Sequence, residues 1–268
     1  MGIFDTHAHY QDKAFDEDRT TLLSSLSTLG VDYVLNAATN LESSKQVIAI
    51  SESFPFAFAA VGLHPSDLSH IRFNDAEDNT LEPLNEKEVL DTLSKLYSHR
   101  KVVAIGEIGL EYHYDFIPKD TQKKWLEYQL QLAKELDAPI IFHDRDAHED
   151  TITLLKKYKP KGVVHCFSGS TEMLKEILKL DMYIGLGGAV TFHNAKKPIE
   201  AAKMVPLDKL LLETDAPYMA PVPYRGKRCD SSMITEIANV IASARGETTQ
   251  TIINVTKENA FRAFPKAK

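Results

Sequence analysis

The residues richest in chemistry are histidines and carboxylates that recur at the ends of short apolar runs. His7-Ala8-His9 closes the first run, Glu107 follows Gly106, and His143, His165 and Asp215 each sit at or just beyond a β-rich stretch. Residues two apart on an extended strand point to the same side, so His7 and His9 can reach one cation as a bidentate arm. With His7, His9, Glu107 and Asp215 around one ion, and Glu107, His143 and His165 around another, Glu107 becomes the natural bridge. A bridging carboxylate suits ions ~3.5–4 Å apart, with a water between them that can lose a proton. Asp215 is then the expected base, because a carboxylate at a strand end can touch both an ion and the attacking water.

Each residue also has a plain structural use. Asp5, Glu107 and Asp215 could cap the helices that follow, and His143 and His165 could be hydrogen-bonded core histidines. Taken together these uses fail, since imidazoles and carboxylates buried at one mouth repel or stay unsatisfied unless a cation neutralises them. The expected cofactor is therefore a pair of divalent cations. Histidine favours zinc, manganese or iron, whereas magnesium prefers oxygen, so the ion's identity stays open among the four.

These side chains need a scaffold that brings strand ends together. Eight β-rich runs alternate with helical periodicity: Ile3–His7, Tyr33–Ala37, Phe58–Gly62, Val102–Gly106, Ile140–His143, Val163–Phe167, Tyr183–Leu186 and Leu210–Asp215. The pattern predicts an α/β fold, a single (β/α)8 TIM-like barrel spanning residues 1–268, with its active groups at the C-terminal ends of the strands. Trp125, Leu126, Leu130 and Ala133 share one face of a helix and read as core. Asp67 to Glu86 is polar and reads as a long loop after the third strand.

The 268 residues, 43% apolar and 26% charged, are enough for one large core and argue against disorder. No apolar run is long enough to span a bilayer, and no secretory signal is recognisable. Gly2 to Thr6 fits a loose myristoylation pattern, but the same residues build the first strand. Two cysteines, Cys166 and Cys229, fit a reducing compartment, so a cytoplasmic protein without a membrane partner is expected. Cys166 reads as a buried small residue, Cys229 as exposed, and neither as a nucleophile. The net charge of −7 argues against a generally basic nucleic-acid surface, so any such site must be local.

Several ordered motifs together resemble the TatD family of metal-dependent deoxyribonucleases, within the broader amidohydrolase-like barrels. They are Phe4-Asp5-Thr6-His7-Ala8-His9, Val61-Gly62-Leu63-His64-Pro65, Gly106-Glu107-Ile108-Gly109-Leu110, His143-Asp144-Arg145-Asp146-Ala147, His165-Cys166-Phe167-Ser168-Gly169, Glu213-Thr214-Asp215-Ala216-Pro217-Tyr218 and Glu258-Asn259-Ala260-Phe261-Arg262. The resemblance implies divalent-cation dependence and phosphodiester hydrolysis, with 3′-end exonuclease activity among relatives. It also implies that His7, His9, Glu107, His143, His165 and Asp215 stand at metal-ligand positions. The sequence departs from the usual pattern at Glu111, at Asp144 and at Arg228-Cys229-Asp230-Ser231, and the last puts substrate choice in doubt.

On this reading Glu107 and Asp215 are catalytic, and the substrate is DNA, preferably single-stranded or frayed, or RNA, bound by a monomer. His64, Arg145, Tyr218, Arg225, Lys227 and Arg228 are the candidate substrate contacts, with Lys196-Lys197 beside them. Tyr112, His113, Tyr114, Phe192 and Tyr224 interleave aromatic faces on which bases can stack. The structural alternatives are a turn residue at His64, ion pairs from Arg145 to Asp144, Asp146 or Glu149, and solvated loops elsewhere. Glu107 stands where a carbamylated lysine would bridge zincs in some barrels, which lowers the odds of C–N bond hydrolysis. Hydrolysis of a small phosphoester or a tRNA ester, and a metal-bound interaction protein without catalysis, are the other readings.

Overall fold

The computed structural model describes residues 2–70 and 85–268. Eight parallel strands pair in sequence order: β1 (Ile3–Ala8), β2 (Val31–Ala37), β3 (Ala57–Val61), β4 (Val102–Glu111), β5 (Ile140–Arg145), β6 (Gly162–Val164), β7 (Tyr183–Leu186) and β8 (Leu210–Leu212). Between and after them run α1 (Arg19–Ser25), α2 (Leu41–Ser53), α3 (Glu86–Tyr97), α4 (Lys119–Glu135), α5 (His148–Tyr158), α6 (Thr171–Lys179), α7 (Lys196–Met204), α8 (Ile234–Arg245) and α9 (Thr249–Ala263). The expected (β/α)8 barrel is the fold observed. Most of the loop expected at Asp67 to Glu86 lies outside the described residues; its start belongs to a 3-10 helix, Pro65–His70, and its end to α3.

Two apolar layers hold the barrel. Phe4, Leu35, Phe58, Val103, Ile141, Val163 and Leu211, one from nearly every strand, form a cluster that Ala260, Ala263 and Phe264 of α9 join. α9 also sets Phe261 edge-on to Phe4 of β1 and Tyr33 of β2. The larger cluster lies between strands and helices, and includes Trp125, Leu126, Leu130 and Ala133 of α4 as the periodicity predicts. That same helical face also buries Gln122 and Gln129, whose amides tie down the loops after β4 and β3.

The β1–β8 seam has only one isolated bridge, Ala8 to Ala216, and side chains complete it. Asp5 accepts hydrogen bonds from the Thr214 amide at 3.0 Å, the Thr214 hydroxyl at 2.6 Å and the Ser231 hydroxyl at 2.6 Å. Thr6 Oγ1 donates to Leu212 O at 3.0 Å. Asp5 is thus a clasp across the seam and not a helix cap. Asp5→Ala removes the acceptor of four buried bonds, the fourth from His7 N at 3.2 Å, and is expected to cost about 3 kcal/mol of stability. Denaturant unfolding checks this, and a loss under about 1 kcal/mol would show that the clasp does not hold the seam.

Three strand ends differ most from expectation. β4 does not end at Gly106: it runs to Glu111, because Ile108 to Glu111 pair with Phe142 to Arg145 after a register shift. Glu107 therefore lies inside a strand. β6 and β8 stop earlier than expected, so His165 is the first residue past β6 and Asp215 lies three past β8.

Candidate metal centre

Seven polar side chains from six βα units meet at the C-terminal end of the barrel. Backbone bonds across the seam aim the first group, with Asp215 N donating to His7 O at 2.9 Å and His9 N to Ala216 O at 2.7 Å. Asp215 has φ 63°, a left-handed conformation that turns its carboxylate back toward the two histidines. His7 Nε2 and His9 Nε2 are 3.0 Å apart, and each lies 3.3 or 3.6 Å from Asp215 Oδ1.

Glu107 stands at the centre and is buried. Its Oε2 faces His7 Nε2 at 3.3 Å and His9 Nε2 at 3.5 Å. Its Oε1 faces His165 Nε2 at 2.8 Å, His143 Nδ1 at 2.9 Å and His64 Nε2 at 3.4 Å. One carboxylate thus offers a different oxygen to each of two histidine groups.

Tautomers sort these histidines. His9 Nδ1 lies 2.8 Å from Ala37 O, which only accepts, so Nδ1 carries the proton and the Nε2 lone pair points inward. His143 Nε2 faces Glu111 Oε2 at 3.4 Å, which leaves Nδ1 as its inward lone pair. His64 is the reverse: its Nδ1 accepts from Ser66 N at 3.1 Å, so Nε2–H points at Glu107 and acts as a donor. His64 enters the cluster and is more than a turn residue.

The donor set fits divalent cations. Two nitrogens bound ~2.0–2.1 Å from one ion stand about 3 Å from each other. That is the spacing of His7 Nε2 to His9 Nε2, and of His143 Nδ1 to His165 Nε2 at 3.1 Å. Electrostatics in the ion-free protein point the same way. Burial opposes a proton on His9, but the Asp215 bond and the charges of Glu107 and Asp215 outweigh it and raise the pKa to about 9. His143 also reaches about 9, against burial, because it bonds Glu107 and Glu111. His7, by contrast, is pushed by burial and the nearby His165 to about 4. Burial would raise Glu107, yet the charges of His165, His64 and His7 hold it well below the usual carboxylate range. Protons therefore supply the positive charge that cations otherwise would.

A titration follows from this. Ligating imidazoles are neutral, so loading the centre at pH 7 is expected to expel at least two protons, those of His9 and His143, with His165, also raised by Glu107, adding to them. His9 and His143 are raised above 7, so affinity climbs as pH rises toward 9 and falls as protons compete below it. Calorimetry in buffers of different ionisation enthalpy measures the release. An affinity unchanged from pH 6 to 8 would contradict the charge balance.

The remaining expected contacts separate. The Arg145 guanidinium lies 5.0 Å from the Tyr114 ring centre and makes none of the three ion pairs considered for it; Asp144 bonds His148 and Thr151 instead, and Asp146 bonds His113. Tyr218 is half exposed, its ring centre 6.3 Å from that of His9 and its hydroxyl on Asp12. Arg225 covers Phe192 at 3.9 Å and Lys227 rests by Tyr224 at 5.9 Å, both on the exposed loop after β8. Arg228 is directed elsewhere: it makes a bidentate pair with Asp18 at 2.6 and 2.7 Å and donates to Ala14 O, so its fork ties the loop after β8 to the segment between β1 and α1. Lys196 and Lys197 start α7.

Cys229 is buried and not exposed, because the chain folds back and its amide bonds Pro217 O. Cys166 is only partly buried, its amide donating to Glu213. Both thiols are raised, chiefly by burial, which fits the absence of any nucleophile's role.

Sequence reading missed two carboxylates. Glu111 touches His143, and Glu213 lies 3.7 Å behind His165 Nδ1, raised by burial to about 8. For Glu111 the signal was its even spacing from Glu107 along β4; Glu213 lies past the end of β8, where strand alternation gives none.

An eight-stranded parallel barrel with two histidine groups sharing a carboxylate at its mouth defines the class: a metal-dependent hydrolase of the barrel type. The chain belongs to the TatD related DNase family, whose pattern matches residues 4–265. It is 40% identical over 265 residues to YabD, an uncharacterized metal-dependent hydrolase of Bacillus subtilis (strain 168), covering 98% of both chains. It is 33% identical over 273 residues, with 98% of both covered, to TatD of Rahnella sp. (strain Y9602), a 3′-5′ ssDNA/RNA exonuclease. Among solved structures it resembles YjjV, a TatD homologue of Escherichia coli K12, with a TM-score of 0.88, 31% identity and 98% of both chains covered. Among the described residues no helix is long and apolar enough to cross a membrane.

Proposed function

We propose that the protein hydrolyses phosphodiester bonds at the 3′ end of single-stranded DNA or RNA, with two divalent cations held at the barrel mouth. The observation that carries this is Glu107, which gives one oxygen to each of two histidine groups. His7, His9, Glu107 and Asp215 would hold one cation, and Glu107, His143 and His165 the other. When bound, such a pair supplies Lewis acidity to the phosphoryl oxygens and acidifies water. Asp215 Oδ1 faces the histidines, which leaves Oδ2 to take the proton of the attacking water. His64 Nε2–H holds the bridging carboxylate in place. Arg145 at the end of β5, with Tyr218, Arg225 and Lys227 on the loop after β8, would receive the sugar-phosphate chain. Arg228 is left out of this set because Asp18 occupies its fork. The named activity of the Rahnella relative supports the substrate class.

The test is a single-stranded oligonucleotide labelled at either end and incubated with protein of measured metal content. The expected result is early loss of the 3′ label, arrest by chelator, and recovery when zinc or manganese is returned. Early release of the 5′ label would reverse the polarity. No cleavage of single strands by protein carrying two equivalents of metal would overturn the nuclease reading.

A further inference from the structure

Large apolar side chains exposed among the described residues gather at the barrel mouth: four of the six, Tyr114, Phe116, Tyr218 and Val222, lie on loops after β4 and β8. The β4 pair is the more exposed cluster, with Phe116 68% and Tyr114 43% open to solvent. Their rings stack at 5.1 Å and 11°, a parallel pair with no apolar layer above it. The Arg145 guanidinium lies over Tyr114 at 5.0 Å, and the His113 ring meets Tyr114 edge-on at 4.8 Å. Exposing two aromatic rings to water costs free energy that burial would recover, so their use is to be covered by a ligand.

The loop bearing the pair is tied at both ends. Gln122 donates to Glu111 O and to Ile117 O, each at 2.9 Å, which brackets residues 112–116. Glu111 Oε1 accepts the His113 amide at 2.7 Å and the Tyr114 amide at 3.4 Å. The other oxygen of the same carboxylate faces His143 Nε2 at 3.4 Å. A single side chain thus connects the aromatic pair to the centre around Glu107, which fixes the reach from one to the other. A fixed, open π-face beside a guanidinium fits a flat, electron-poor ring next to an anion, the chemistry of a nucleotide.

We propose that Tyr114 and Phe116, braced by Arg145, form a stacking seat for one nucleobase of a single-stranded substrate whose phosphate lies at the Glu107 centre. The proposal rests on the nuclease reading above and adds which side chains hold a base. Glu111 is a positioning residue here, since it acts through the loop that it suspends.

The experiment compares loss of the base with loss of the ring in the metal-loaded protein. Single-stranded oligonucleotides carry one abasic position, moved stepwise from the 3′ end. In the native protein one register is expected to raise KM roughly 5- to 150-fold, the range that base–aromatic stacking supplies. Phe116→Ala with Tyr114→Leu is expected to raise KM similarly for intact strands and to abolish the extra effect of the abasic position. Phe116→Trp, which keeps a π-face, is expected to restore it. If the double variant keeps the native sensitivity to the abasic position, or if no register is sensitive, the seat is refuted while the nuclease reading stands. If the native protein hydrolyses bis(p-nitrophenyl) phosphate but neither binds nor shortens any oligonucleotide, the nuclease reading falls and takes the seat with it.

Discussion

Glu107→Gln is expected to strip the protein of metal and lower hydrolysis by about a thousandfold. The side chain keeps its shape, so the effect is electronic. An amide presents one oxygen and one NH2 group, and Glu107 needs an acceptor on both sides: Oε2 toward His7 and His9, Oε1 toward His64, His143 and His165. Whichever way the amide turns, its NH2 faces a set of imidazole nitrogens that also needs a negative partner. Lewis-acid stabilisation of the transition state is worth several kcal/mol, and each 1.36 kcal/mol is tenfold in rate, which gives the thousandfold figure. Elemental analysis and turnover are the two readings. The ion-free variant should also lose the raised pKa of His143, whose causes begin, after burial, with its bond to Glu107, and NMR titration of that ring checks it. Retention of two metal equivalents with near-native turnover would remove Glu107 from the centre.

How much of this was legible in the sequence depends on what kind of contact each residue makes. The barrel was, because alternation between β-rich runs and helical periodicity is local, and all eight runs start within two residues of the strands formed. His7-Ala8-His9 was legible for the same reason, as strand geometry alone puts both rings on one side. The continuation of β4 to Glu111 was not, since it depends on a register shift against β5 that no local pattern records. Arg228 failed for a related reason. Its neighbours in sequence mark a basic loop, while its partner, Asp18, lies 210 residues away. Asp5 looked like a cap because caps are local, and its true partners, Thr214 and Ser231, are brought to it only when the seam closes. His64 lay between the two cases: its ring was assigned to a turn or a phosphate, and the turn bond from Ser66 is what fixes the tautomer that faces Glu107. Long-range polar contacts, unlike apolar periodicity, leave no spacing signal.

Asp215→Asn separates two roles that the geometry allows the same carboxylate. Its side chain is 19% exposed where that of Glu107 is 4% exposed, so Asp215 is the acidic group of the cluster that water reaches. Burial would raise its pKa, but the His9 bond and the charges of His7, His9 and His165 hold it below the usual aspartate value. It is therefore ionised throughout the neutral range and free to accept, although a weak base holds a proton only briefly before passing it to the leaving oxygen. General-base catalysis contributes typically ~100- to 10,000-fold, so that is the expected fall in kcat. Asparagine retains an oxygen for ligation, and the metal content is expected to fall by no more than one equivalent. KM should change much less than kcat, because the lost interaction belongs to the transition state. If metal and activity instead fall in strict proportion, so that turnover per bound pair is native, Asp215 only ligates. In that case the proton must leave through another acceptor, and Glu107, which is buried away from water and held by five imidazoles, is the wrong shape for it.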